Sequence, residues 1–215
     1  MTETFDTARV VTWVRTLRDA VETKEQWLTE LDAAIGDADH GGNMVRGLRA
    51  AAAALDNTPP TSPSAALKSV AMALISHVGG ASGPLYGTFF LRAATAVGSA
   101  PELDAAAVGR GLRAGLDGVI ARGKARPGDK TMVDALTPAV DAFDAAAGEG
   151  LAAAATAARE AAEQGRDATE PLVARKGRAS YLGERSAGHL DPGAASTALL
   201  FAALEGAATS GTTAA

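Results

Sequence analysis

Cysteine is absent from this chain, so neither disulfides nor thiol chemistry are available to it, which fits a reducing compartment. Aromatic residues make up only 4 % of the sequence, while alanine is abundant and β-branched runs are few. That balance favours helix over strand throughout. No apolar run approaches the ~20 residues of a membrane span. Thr2–Glu22 carries acids and bases throughout, unlike a signal peptide. The expectation is a cytoplasmic protein with no membrane contact. Cations are outnumbered, 20 to 25, and the formal net charge of −5 argues against a nucleic-acid surface. Nucleotide binding stays open, because metal ions and local amides supply positive field where it is needed. A chain of 215 residues is long enough for a proper core and reads as one domain, or at most two small ones.

Periodicity places the helices. Asp6 or Thr7 caps a first helix to about Thr23, with Val10, Val14, Leu17 and Val21 inward. Glu25–Ile35 follows, then a helix from about Gly42 to Leu55 whose small residues permit close approach. Asn57–Pro60 is a loop, and Ser62-Pro63 opens the next helix. Pro84 reads as the first residue of another, and Ser99-Ala100-Pro101 as the start of one reaching Arg122. Thr131–Ala146 carries an internal Pro138, and Leu151–Gln164 is an alanine-rich structural helix. A short helix from Asp167 or Thr169 toward Arg175 and a last one over Ala194–Leu204 complete the set. Thr209–Ala215 reads as a frayed tail.

The chemistry concentrates in Leu31–Met44, LDAAIGDADHGGNM, which packs Asp32, Asp37 and Asp39 into eight residues. Asp32 lies at the edge of an apolar helix face and in the last turn, where the macrodipole disfavours an anion. A half-buried carboxylate there calls for a cation. Gly36 then ends the helix. Hard cations such as Mg²⁺ take a few carboxylates plus substrate phosphates. The helix that begins near Gly41-Gly42-Asn43 offers backbone N–H groups and a positive dipole end to phosphate. The competing reading is a solvated turn with Asp39 as an N-cap. An EF-hand is excluded, because its twelfth position would be Leu48 rather than Glu.

Three later loops carry weaker signals. Gly79-Gly80-Ala81-Ser82-Gly83-Pro84 either lets backbone approach a ligand or is a plain glycine-rich turn. GVIARGKA, Gly118–Ala125, nearly fits a P-loop but ends in Ala125, lacks the Mg²⁺-binding hydroxyl and follows helix rather than strand. Asp129 and Lys130 read as capping residues for the next helix. Arg175, Lys176, Arg178 and Arg185 put four cations into eleven residues, either as a basic helix end with a solvated loop or as a mobile cover over a phosphoryl-transfer site. None of His40, His77 and His189 has a partner at triad spacing, and no nucleophile is assigned. In the turn His40 is expected to offer its backbone N–H, because imidazole is a poor Mg²⁺ ligand.

These motifs resemble, in order and over nearly the whole chain, the nucleotide-binding L subunit of dihydroxyacetone kinase. The carrying residues are Asp32 and the signature Gly36–Met44, then GGASGPLYG, GKARPGDKTM and ARKGRASYLGERSAGHLDPGA. The resemblance implies an all-α fold, an up-and-down barrel of eight antiparallel helices over residues 1–208, with ADP (or ATP) and two Mg²⁺ at one end. It implies Asp32, Asp37 and Asp39 as metal ligands. It places His40, Gly41, Gly42, Asn43, Ala81, Ser82, Gly123, Met132, Asp191, Pro192 and Gly193 around the nucleotide. Arg178 is implied as phosphate contact and catalytic group. It further implies a separate K subunit that holds dihydroxyacetone, and a phosphotransferase-system M subunit that rephosphorylates the bound nucleotide. Two alternatives remain: a subunit using free ATP on another small ketose or polyol, and a nucleotide-loaded regulatory subunit that binds a transcription factor.

Overall fold

The computed structural model describes residues 4–210. Among these, nine α-helices account for most of the chain. They are α1 Thr7–Thr23, α2 Glu25–Ile35, α3 His40–Asn57, α4 Pro63–His77, α5 Ser82–Val97, α6 Ala105–Gly123, α7 Met132–Ala146, α8 Leu151–Asp167 and α9 Pro192–Thr209. Two-residue strands β1 (Phe5–Asp6) and β2 (Glu102–Leu103) pair antiparallel. No described helix is long and apolar enough to cross a membrane.

Eight of the helices form a closed ring. From α3 to α9 each packs against its successor, and α1 packs against both α9 and α3. Short connections make successive neighbours antiparallel. The ninth helix, α2, is the shortest at 11 residues and packs on α3. The all-α barrel is therefore as expected, with one added helix lying where the carboxylates are.

Small residues set the spacing of the ring. A Cβ on Gly165 of α8 would lie 2.4 Å from the Asp134 carbonyl of α7, and one on Gly47 of α3 would lie 1.9 Å from Val78 Cγ2. The few aromatics are gathered in one place. Phe5, Trp13, Phe89 and Phe90 stack edge-on or tilted at centroid distances of 5.3–6.2 Å, and Trp13 Nε1 donates to the Leu200 carbonyl at 2.9 Å.

Several element boundaries differ from the sequence reading. The Ser99–Pro101 start of α6 gives way to Asp104, whose carboxylate caps Ala107 N at 2.7 Å, because residues 102–103 are drawn into the strand pair with β1. α5 begins at Ser82, so Pro84 sits third; all first-turn positions lack an intrahelical acceptor, so it costs nothing there. No helix runs from Asp167 to Arg175: Thr169 is fully buried and spends its hydroxyl on Arg166 O at 2.6 Å, and Pro171 has no N–H to propagate a helix. α9 continues to Thr209, and the rest of the expected tail lies, from 211 on, outside the described residues.

Candidate nucleotide and metal site

At one end of the ring the starts of α3, α5, α7 and α9 and the ends of α2 and α6 surround a cleft of about 430 Å³. Four helix N-termini facing one space create a positive field suited to an anion. Most helices elsewhere are capped by a side chain: Asp6 on α1, Ser62 on α4 and Asp104 on α6. At the cleft, α7 is capped by Thr131 and α9 by Asp191, but α3 and α5 have no side-chain cap. Asp39 stands at the N-cap position of α3 in helical geometry, and its carboxylate makes no capping bond. The reading of Asp39 as a structural cap therefore fails, and its oxygens remain available.

Carboxylate oxygens of Asp32, Asp37 and Asp39 lie within 4.8 Å of one another. Asp32 is buried in the last turn of α2, and its Oδ2 accepts from the N–H groups of Asp39 at 2.8 Å and His40 at 3.1 Å. Those bonds fold the 36–40 turn back over the end of α2. They also correct the expectation for His40, whose N–H is taken by Asp32. The turn needs glycine at 36 for room: an added Cβ would lie 2.0 Å from Asp32 Oδ1. The backbone of Gly36 is extended rather than left-handed, and Ala38 takes the positive φ of 61°. A non-glycine residue held there stores strain, which the two bonds to Asp32 offset. Three oxygen donors and no soft ligand suit Mg²⁺ rather than a thiophilic metal.

The His40 imidazole is buried between the starts of α5 and α9, with Nε2 2.9 Å from Ser196 Oγ and Nδ1 3.3 Å from Ser82 Oγ. Burial holds its pKa below the ordinary value, against the pull of Asp32 and Asp39. Tyr86 hydroxyl joins this network at 2.7 Å from Ser196 Oγ and 3.1 Å from Thr197 Oγ1, and burial pushes the phenol up to about 12. The starts of α3, α5 and α9 are thus cross-linked under the cleft floor. Across the mouth, Arg178 Nη2 lies 3.0 Å from Asp37 Oδ2. The basic stretch is not a helix end: Arg178 opens a 3₁₀ segment, Arg178–Ser186, kinked at Gly183.

Residues 34–206 match the DAK2 domain. The chain belongs to the DAK2 family. Over 190 residues it is 46 % identical to the ADP-binding subunit DhaL of the PEP-dependent dihydroxyacetone kinase of Escherichia coli (strain K12), covering 87 % of this chain and 90 % of that subunit. Identity to the L-erythrulose 1-kinase of Mycolicibacterium smegmatis is 39 % over 201 residues, 91 % of this chain but 34 % of that protein. The dihydroxyacetone kinase of C. freundii, solved with AMP-PNP and Mg²⁺, superposes with a TM-score of 0.72 at 27 % identity. That match covers 96 % of this chain and 35 % of the solved one, so the DAK2 chain spans about a third of that kinase.

Among the residues singled out from sequence, Asp32, Asp37, Asp39, His40, Asn43, Ala81, Ser82, Gly123, Met132, Arg178, Asp191, Pro192 and Gly193 all line the cleft of this DAK2 chain. Gly41 and Gly42 do not. Gly41 backs onto α2, where a Cβ would lie 2.2 Å from the Glu25 carbonyl, so its smallness serves packing. Three participants escaped the sequence reading. Tyr86 and Ser196 look like ordinary helix residues until α5 and α9 are brought together. Lys130, expected as a cap, is 1 % exposed and points inward.

Asp191 gives a pH-dependent prediction. Its carboxylate is buried at the start of α9 and accepts from Ala194 N at 2.7 Å. Burial raises its pKa to about 7; the Ala194 N–H and Lys130 pull it down and Asp134 pushes it up. In an unfolded chain an aspartate titrates near ~3.9. The folded state therefore binds the extra proton between the two values, and stability falls as pH rises through that window. Asp191→Asn keeps the cap, since asparagine caps as well as aspartate. We expect the variant to melt about 3 °C or more above wild type at pH 8, with a smaller gap at pH 5. Thermal melts at the two pH values check this, and an equal gap at both would refute it.

Proposed function

We propose that this chain is the nucleotide-carrying subunit of a dihydroxyacetone kinase, working in the cytoplasm on an acceptor presented by a separate K subunit. The observation that carries the reading is the carboxylate cluster beside the uncapped starts of α3 and α5. Asp32, Asp37 and Asp39 would hold Mg²⁺, two ions by the family resemblance. Bound there, the metal supplies charge neutralisation at the nucleotide phosphates. The start of α5, with Ser82, receives the phosphate oxygens. Leu85, Val119, Gly123, Ala125 and Met132 form an apolar wall for the base. Arg178 reaches over the mouth and stabilises the migrating phosphoryl group, while ADP stays in the cleft. The bond to the β-phosphate oxygen breaks, the acceptor oxygen bonds to phosphorus, and its proton leaves to a base or to water. The likeness to a PEP-dependent subunit over 90 % of that subunit's length favours an M subunit as the source of the next phosphoryl group.

A second reading has its own support. The likeness to an erythrulose kinase fits a subunit that uses free ATP on a small ketose. One experiment separates the two. Purified protein is dialysed extensively in Mg²⁺ and denatured, and the released nucleotide is quantified by chromatography. About one ADP per chain, lost with EDTA, is expected for the carrier. Little bound nucleotide with freely exchanging ATP would move the assignment to the second reading. A carrier that retains ADP but binds only a transcription factor, never a K subunit, would be the regulatory form.

A further inference from the structure

We propose that Lys130 is a positioning residue for the cleft: one buried ammonium that pins both ends of the basic loop to the α6–α7 connection. Its Nζ donates to the carbonyls of Thr169 at 2.8 Å, Glu170 at 3.2 Å and His189. An ammonium has three protons, and all three are used. The acceptors sit at the two ends of the segment that carries Lys176, Arg178 and Arg185. Lys130 holds a positive φ of 61°, which a side chain rarely adopts, and the three bonds fix it there.

The neighbouring contacts show one joint rather than a chance meeting. Asp191 N donates to Thr169 Oγ1 at 3.0 Å, Arg175 N to the Asp129 carbonyl at 3.0 Å, and Gly188 N to the Glu170 carbonyl at 2.8 Å. The loop thus leaves α8 and returns to α9 at a single point, and the Lys130 ammonium bonds to carbonyls on both sides of it. From this base the loop projects Arg178 to Asp37, and Asp191-Pro192-Gly193 into the cleft wall. Lys130 lines the cleft beside Thr131 and Met132, but its three ammonium protons are all spent on loop carbonyls. It acts on Arg178 and on the start of α9 by fixing where they stand.

The nucleotide arm of the test rests on the proposed function; a second arm does not. Lys130→Met keeps the stem and removes the donors. Wild type, Lys130→Met, Arg178→Ala and the double variant are loaded with ADP and Mg²⁺, and ADP release is timed. Release from Lys130→Met is expected to be about 30-fold faster than from wild type, the size of a charge-assisted hydrogen bond's contribution. In the Arg178→Ala background the same change should shrink to about 3-fold or less, because the group being positioned is gone. A merely structural lysine would give the same factor in both backgrounds, and that result, or unchanged release, would overturn the proposal. The second arm is limited trypsin digestion without nucleotide: cleavage within 175–185 should be about tenfold faster in Lys130→Met, and equal rates would overturn it. If wild type holds no ADP, the nucleotide reading fails while this arm still decides the tether. Should Lys130→Met not fold, Lys130→Gln, which keeps two donors, is expected to give an intermediate release rate; release at the wild-type rate would again refute the proposal.

Discussion

Asp32→Asn is expected to strip Mg²⁺-dependent nucleotide binding from this protein by about 100-fold or more, with little change in its melting temperature. The two halves of that expectation come from different properties of the carboxylate. Oδ2 accepts from Asp39 N and His40 N and so organises the turn. An asparagine oxygen can accept the same two bonds, and the fold of residues 36–40 should survive. What asparagine lacks is the charge. Three carboxylates within 4.8 Å repel one another and need a cation; with one neutralised, both the repulsion and the site's affinity for a hard divalent ion fall. Asp32 is the buried member of a cluster whose other two carboxylates are exposed, so its loss falls at the low end of the cost of about 3–5 kcal/mol for breaking a buried ionic contact, a factor of about 10² in affinity. Titration calorimetry with ADP at fixed Mg²⁺ reads this directly. An affinity within about threefold of wild type would mean that Asp32 serves the turn alone and that the metal assignment is wrong.

Arg178→Ala is expected to act on transfer rate far more than on retention, where its loss speeds ADP release by about tenfold at most. The ion pair with Asp37 joins two partly exposed side chains, so its contribution to stability is at most about 1 kcal/mol. Its geometry matters more: the guanidinium already stands against the carboxylate cluster, across the mouth of the cleft, and under the proposed function the acceptor approaches there. A cation so placed meets charge that develops on the phosphoryl oxygens only during transfer. Arginines in that role are worth about 10³ to 10⁵ in turnover. The expected outcome is a fall of about 10³ in single-turnover transfer from ATP-loaded protein, with ADP content changed less than about tenfold. Transfer within tenfold of wild type would remove Arg178 from the chemistry and leave it as a cover residue.

Local sequence settled much of the architecture because its signals are local. Asp6, Ser62 and Thr131 each cap the helix that follows through bonds spanning two or three residues. Ser99–Pro101 misled for a non-local reason, since a strand partner from the start of the chain decides where α6 begins. Thr169 misled in the same way, its side chain being claimed by the start of α9.

The sequence by itself determined the all-helical class, the family and the carboxylate triplet, because periodicity, caps and a dense motif are all written within a few residues. The tertiary structure decided which of those residues share a cleft and what each does there. Asp39 is freed from capping, the His40 N–H is spent on Asp32, and Gly41 turns to packing rather than to the cleft wall. Lys130 was beyond reach of any reading along the chain. Its three acceptors lie roughly 40 to 60 residues away, and only closing the ring of helices brings those carbonyls to one ammonium.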